Sequence, residues 1–156
     1  MSVLFKKDED DDFYKWSLGS TSLLTEVSEN NKKLIICVKC SFGETKEKYY
    51  ALFDTGAEWT VVPQSIVDSN ADCFHSLDIP IKLTSRFGTS DGILHQCDLR
   101  ILVDSGEDII VDATVLVIPH WEGPVVLGFK SLLNKIRWAC DPTIDNQGRL
   151  YFGLVE

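Results

Sequence analysis

From residue 34 onward, apolar and polar positions fall into short runs split by polar turns, the pattern of a chain built mainly from strands. Residues 34–42 form one run, Gly43-Glu44-Thr45-Lys46 a turn and 48–53 a second run, which together predict a hairpin. His95, Cys97, Leu99, Ile101 and Val103 alternate with Gln96, Asp98 and Arg100, so a strand with one buried face is expected there. Asp104-Ser105-Gly106-Glu107 turns the chain into a further strand over 109–118, and Asp145-Asn146-Gln147-Gly148 into a last one over 150–154. Only two stretches read as helix: 64–68, after Pro63, and 130–137, where Leu132, Leu133 and Ile136 recur at helical spacing. The expected fold is mainly β, about eight strands with one solid helix near the C-terminus and no internal repeat.

Residues 1–33 break this pattern. An acidic run, Asp8-Glu9-Asp10-Asp11-Asp12, precedes a polar stretch with scattered Phe13, Tyr14, Trp16 and Leu23-Leu24. Like-charge runs are usually solvated, so 1–33 is read as an acidic N-terminal arm with no assigned activity, and 34–156 as the folded domain.

Charge and composition narrow the partners. Fifteen Lys and Arg against twenty-four Asp and Glu leave a net charge of −9, with no basic stripe to neutralise phosphates, so nucleic acid is not expected as a partner. The longest apolar runs are far shorter than the roughly 18 residues that cross a bilayer, and the N-terminus turns acidic before a signal sequence develops. No membrane association and a cytosolic location are therefore expected. Five cysteines, an odd number without scaffold-like spacing, agree with a reducing compartment.

The segment richest in chemistry is Ala51-Leu52-Phe53-Asp54-Thr55-Gly56-Ala57-Glu58-Trp59-Thr60-Val61-Val62-Pro63. An apolar strand runs straight into a carboxylate, then a hydroxyl and a glycine. A carboxylate at a strand end is expected at the edge of the core, where loss of water penalises its charged form. Thr55 can fix the loop through its hydroxyl, and Gly56 permits a tight turn and close approach of a ligand. As a bare tripeptide, Asp-Thr-Gly is usually a solvated turn.

The longer stretch resembles the active-site loop of retroviral-type (retropepsin-like) aspartic proteases, in which two apolar residues lead into Asp-Thr-Gly-Ala, an acid and Thr-Val. Val125-Val126-Leu127-Gly128 resembles the family's apolar-apolar-Gly segment behind the catalytic loop. Arg86-Phe87-Gly88-Thr89-Ser90-Asp91-Gly92-Ile93 stands where the family has its flap. The resemblance spans about residues 34–155 and implies a single-lobed closed β-barrel. It makes Asp54 the catalytic acid, Thr55 the residue that interlocks two active-site loops, and Gly56 part of the substrate-facing turn. Ala57, Glu58 and Trp59 would line the cleft, and Phe87, Gly88 and Thr89 would form the flap tip over a peptide substrate. Two carboxylates must share the work, so one aspartate per chain implies a homodimer, with no metal or cofactor.

Asp104-Ser105-Gly106 repeats the motif in outline, but 156 residues cannot hold two complete lobes, and a turn is expected there. Relatives often place Arg-Asp or Arg-Asn after the second glycine, where the arginine pairs with the acid at the Glu58 position. Here Phe129-Lys130 follows, so Glu58 is expected to lack its partner. Trp59 replaces an acid found in some retroviral members, which favours apolar substrate side chains. Ala57 cannot stabilise an ionised Asp54 as a serine hydroxyl would, so a less acidic optimum than that of pepsin-like enzymes is expected. Two competing readings are a zinc site from Cys73, His75, His95 and Cys97, whose spacing is not that of a zinc finger, and a peptide-binding or dimerisation module of the same fold without turnover.

Overall fold

The computed structural model of the chain describes residues 3–6, 13–19, 22–28, 31–85, 88–141 and 149–154, with side-chain detail for 35–85, 88–140 and 150–153. Twelve strands lie among the described residues: β1 Val3–Lys6, β2 Phe13–Gly19, β3 Ser22–Ser28, β4 Asn31–Phe42, β5 Tyr49–Phe53, β6 Thr60–Pro63, β7 His75–Ser85, β8 Gly88–Ser105, β9 Ile109–Ile118, β10 Val125–Leu127, β11 Ile136–Asp141 and β12 Arg149–Leu154. One short helix, α1, covers Gln64–Ser69. The chain is therefore mainly β, as its alternating pattern predicts.

Six strands pair in a closed ring. β4 and β5 form the expected antiparallel hairpin, β5 pairs parallel with β10, and β10 meets β6 at Val126 and Val61. β6 runs parallel to β9, β9 antiparallel to β8, and β8 returns to β4 with Phe42 opposite Leu99. Alternation fills the larger core with one face of each strand: Val38, Cys40 and Phe42 from β4, Leu99 and Ile101 from β8, and Val111, Ala113 and Val115 from β9. Each fully buried Leu or Phe of this set contributes roughly 1.5–3 kcal/mol of hydrophobic stabilisation. A second, smaller core takes Val61 of β6, Leu94 of β8, Leu116 and Ile118 of β9, Val126 of β10 and Trp59 from the loop before β6. β8 serves both, with Leu94 facing the smaller core and Cys97, Leu99 and Ile101 the larger.

The helix expected over 130–137 is not formed. The segment makes one 3-10 turn, Leu133–Lys135, and enters β11 at Ile136. Ser131 sits in the left-handed region at φ 66°, which interrupts any helix through it. The turn closes instead through Leu133 N–H to the Gly128 carbonyl (3.1 Å) and Asn134 N–H to the Phe129 carbonyl (2.9 Å). Leu132, Leu133 and Ile136 are all buried, so the helical spacing reflects three side chains entering one core from a single turn.

The strand count also exceeds the expected eight. β7 and β11 are additions to the 34–156 region, and β1 to β3 come from the arm. The backbone of β3 pairs with β4 from Ser22 to Ser28, and that of β2 pairs with β12 and with the end of β8. The acidic run at 8–12, the turn at 145–148 and Phe87 lie outside the described residues. Asp104 and Ser105 are the last residues of β8 rather than the expected turn, and the chain bends at Gly106, at φ 99°, with Val103 N–H donating to Asp108 Oδ1 at 3.0 Å. Among the described residues, no helix is long and apolar enough to cross a membrane.

Candidate active site

The loop between β5 and β6 carries Asp54 and is bonded at Asp54, Ala57, Glu58 and Thr60 to the segment from Leu127 to Lys130. Because β5 and β10 run in parallel, Asp54 N–H reaches the Leu127 carbonyl at 3.0 Å at the mouth of the loop. Within the loop, Gly56 N–H donates to Asp54 Oδ1 at 2.9 Å and Ala57 N–H to the Asp54 carbonyl at 3.2 Å. Further on, Phe129 N–H donates to the Ala57 carbonyl and Lys130 N–H to the Glu58 carbonyl, both at 2.8 Å. The loop closes at Thr60, fully buried, whose Oγ1 accepts the Gly128 N–H at 3.0 Å.

Gly128 explains the apolar-apolar-Gly pattern. A Cβ there would lie 2.3 Å from the Trp59 carbonyl carbon and oxygen and 2.7 Å from Thr60 N, so only glycine lets the two segments pass. The sequence places these two motifs 70 residues apart; the fold lays them against each other.

The Asp54 carboxylate is presented outward. Asp54, Thr55 and Gly56 are all exposed in the single chain, which corrects the expectation of a carboxylate desolvated at the edge of its own core. The reason is geometric: β5 ends at Phe53, and the loop leaves the core before the acid. Among the described residues the Thr55 hydroxyl makes no hydrogen bond, and one Asp54 oxygen is oriented by the Gly56 amide.

Glu58 does have a partner, contrary to expectation. Lys130 Nζ lies 3.6 Å from Glu58 Oε1 and 4.5 Å from the centre of the Trp59 ring. The cation sits two residues after Gly128 rather than one, and its long stem makes up the difference. Trp59 is only 8% exposed, its ring packed in the smaller core, with half-buried Ala57 against the same cluster.

That cluster also takes Leu77, Ile81 and Leu83 of β7 and Leu94 of β8, so one apolar set joins the Asp54 loop to the β7–β8 hairpin. The hairpin narrows to Ser85 opposite Gly88, a two-residue connection, with Gly88 at φ 123° and open space around it. Gly88 and Thr89 are exposed near its end, and no described hydrogen bond or shared cleft links them to Asp54. Thr89 instead borders a cleft of about 370 Å³ with Ser90, Asp91, Ile118, Pro119, His120 and Trp121. The 119–123 loop was not among the candidate residues. Its signal is His120-Trp121, an aromatic pair held between Pro119 and Gly123-Pro124, with Trp121 Nε1 locked on the Pro124 carbonyl at 2.8 Å.

The alternative metal donors do not converge. No three His, Cys, Asp or Glu side chains among the described residues are arranged to hold a metal ion. His95 Nδ1 lies 3.0 Å from the Ile93 carbonyl oxygen, and burial pushes the Cys97 thiol up to about 12, which disfavours the thiolate a metal needs. Compared with known proteins, the chain matches no family model and no curated protein.

Proposed function

We propose that the chain is an aspartic endopeptidase of the retropepsin-like type, active as a homodimer in which Asp54 meets its symmetry mate. The observation that carries this reading is the Asp54 loop itself: a carboxylate oriented by the Gly56 amide and exposed on a loop bonded on both sides of its tip to the Leu127–Lys130 segment. Such rigidity suits a group that must hold a water and a peptide carbonyl in register. One face of the site also stays open in the single chain, where Asp54, Thr55 and the half-exposed Phe129 offer polar and apolar surface for a second copy to cover.

In the dimer, one carboxylate takes a proton from water as its oxygen attacks the scissile carbonyl carbon, and the protonated partner donates to the carbonyl oxygen. Collapse of the resulting diol sends a proton to the leaving nitrogen. Two carboxylates at close range hold one proton between them, because both cannot ionise together. The β7–β8 hairpin is the cover over the peptide, and its apolar contact with the loop suits apolar substrate side chains. Five cysteines outside any disulfide fit a reducing, cytosolic setting.

The test is cleavage of an unfolded protein from about pH 3 to about pH 8 by wild type and Asp54→Asn, with and without an active-site aspartic protease inhibitor. Activity that falls by at least about a hundredfold in the variant and is blocked by the inhibitor is the expected result. A folded dimer inactive at every pH would instead favour a peptide-binding module.

A further inference from the structure

On the face of the ring turned away from the larger core, Ser41 presents an anomaly. Val38, Cys40 and Phe42 of β4 point inward, so Ser41 points outward, yet it is only 3% exposed. Its hydroxyl makes no hydrogen bond among the described residues. A buried hydroxyl without a partner costs roughly 1–3 kcal/mol, so such a group marks a place where something else completes the bonding.

Long cationic side chains surround it. Arg100 of β8 is the residue directly opposite Ser41 in the β4–β8 ladder. On the other side, the β4–β5 register pairs Cys40 with Tyr49, which sets Lys48 next to Ser41 one step beyond. Residues opposite one another in a ladder hold their side chains about 5 Å apart on one face. Lys46 reaches in from the connecting loop, and the whole set lines a cleft of about 350 Å³.

The charges are largely uncommitted. Lys46 and Lys48 are exposed and form no ion pair among the described residues, and the Arg100 guanidinium meets Asp108 only at 4.0 Å. Glu44 is the single acid in the lining and is exposed at the rim. The loop is shaped to stay open: Gly43 holds φ 54° with its N–H on the Asp98 carbonyl, and both the N–H and the hydroxyl of Thr45 bond the Phe42 carbonyl. A cluster of three cations in a chain of net charge −9 is against the average of the surface.

We infer that the Ser41–Lys48–Arg100 cleft is a binding site for a single oxyanion group, a phosphate monoester or a carboxylate, independent of the Asp54 site. Arg100 supplies a planar donor fork, Lys46 and Lys48 supply point charges, and the Ser41 hydroxyl donates from the floor. Three cations around one cleft suit one charged group rather than a nucleic-acid strand, which needs a continuous basic track.

The test is a titration followed by amide NMR, using inorganic phosphate, a phosphoserine peptide and a peptide rich in aspartate, each at constant ionic strength. Saturable shifts confined to the amides around Ser41, Gly43–Lys48 and Arg100 are expected, with at least about fivefold weaker binding in Lys46→Gln/Lys48→Gln. Ser41→Ala, which keeps the charges, weakens binding without altering the fold. Tightest binding of the phosphopeptide assigns the anion to a phosphorylated protein, and tightest binding of the aspartate peptide to an acidic segment. Shifts that are diffuse, fail to saturate, or persist unchanged in the double lysine variant would overturn the site. Because the cations lie outside the Asp54 loop, the result stands whatever the outcome of the protease assay.

Discussion

The loop that carries Asp54 and the β7–β8 hairpin both join extended segments, yet added bulk would meet opposite surroundings behind the one and at Gly88 of the other. At Gly128, behind the loop, a methyl group would fall 2.3 Å from backbone atoms of Trp59; at Gly88 none of the described residues beyond its chain neighbours comes within 4 Å. The loop is bonded to its neighbour at Asp54, Ala57, Glu58 and Thr60, whereas the hairpin beyond Leu94 is paired chiefly strand to strand. The contrast separates a loop packed backbone against backbone from a hairpin end with room for an added methyl group; in the proposed enzyme the second would cover the first.

The sharpest way to break the comparison is Gly128→Ala. With backbone on the far side, nothing flexible can yield, so a loss of about 3 kcal/mol or outright failure to fold is expected in urea unfolding. A loss below about 1 kcal/mol would mean the loop is far less constrained than described. Thr60→Val keeps the side-chain shape but strands the buried Gly128 N–H, and should cost about 1–3 kcal/mol by the same measurement.

Gly88→Ala probes the other side of the contrast. There is space for the methyl group, but φ 123° is poor for an L-residue, which costs about 1 kcal/mol at the hairpin end. The expected signature is a kcat/KM reduced by clearly more than the roughly 1 kcal/mol lost in unfolding, that is by more than about fivefold; an equal loss of both would make the hairpin a structural rather than a covering element. The smallest effect belongs to Lys130→Gln. Its ion pair with Glu58 is more than half exposed on both sides, so about 0.5 kcal/mol is expected, reduced further by salt.

Much of this contrast is legible in the sequence, and the rest is hidden for identifiable reasons. Asp54 and its neighbours stand out because the motif is contiguous, and Val125-Val126-Leu127-Gly128 because its glycine closes an apolar run. The strand over 109–118 is given correctly by its β-branched run, and α1 by Pro63 at its entry. β7 is missed although Leu77, Ile79, Ile81 and Leu83 alternate with Ser76, Asp78, Pro80 and Lys82. Pro80 argues against a central strand, and the ladder indeed shifts register between Ser76 and Pro80. The false helix over 130–137 arises because three apolar side chains over five residues cannot distinguish one 3-10 turn from a helix; the left-handed Ser131 that decides the matter carries no sequence mark. The Glu58–Lys130 pair is missed because reading position by position asks for a cation directly after Gly128, while side-chain reach lets one a residue later serve.

In the proposed dimer, two Asp54 loops, one from each copy, make one active site. Mixing wild type with Asp54→Asn at constant total concentration, with time for subunits to exchange, tests it directly. If a site needs both aspartates, activity follows the square of the wild-type fraction, so an equal mixture retains about a quarter of the wild-type rate. An equal mixture that retains about half would show that each chain works alone and would contradict the shared dyad.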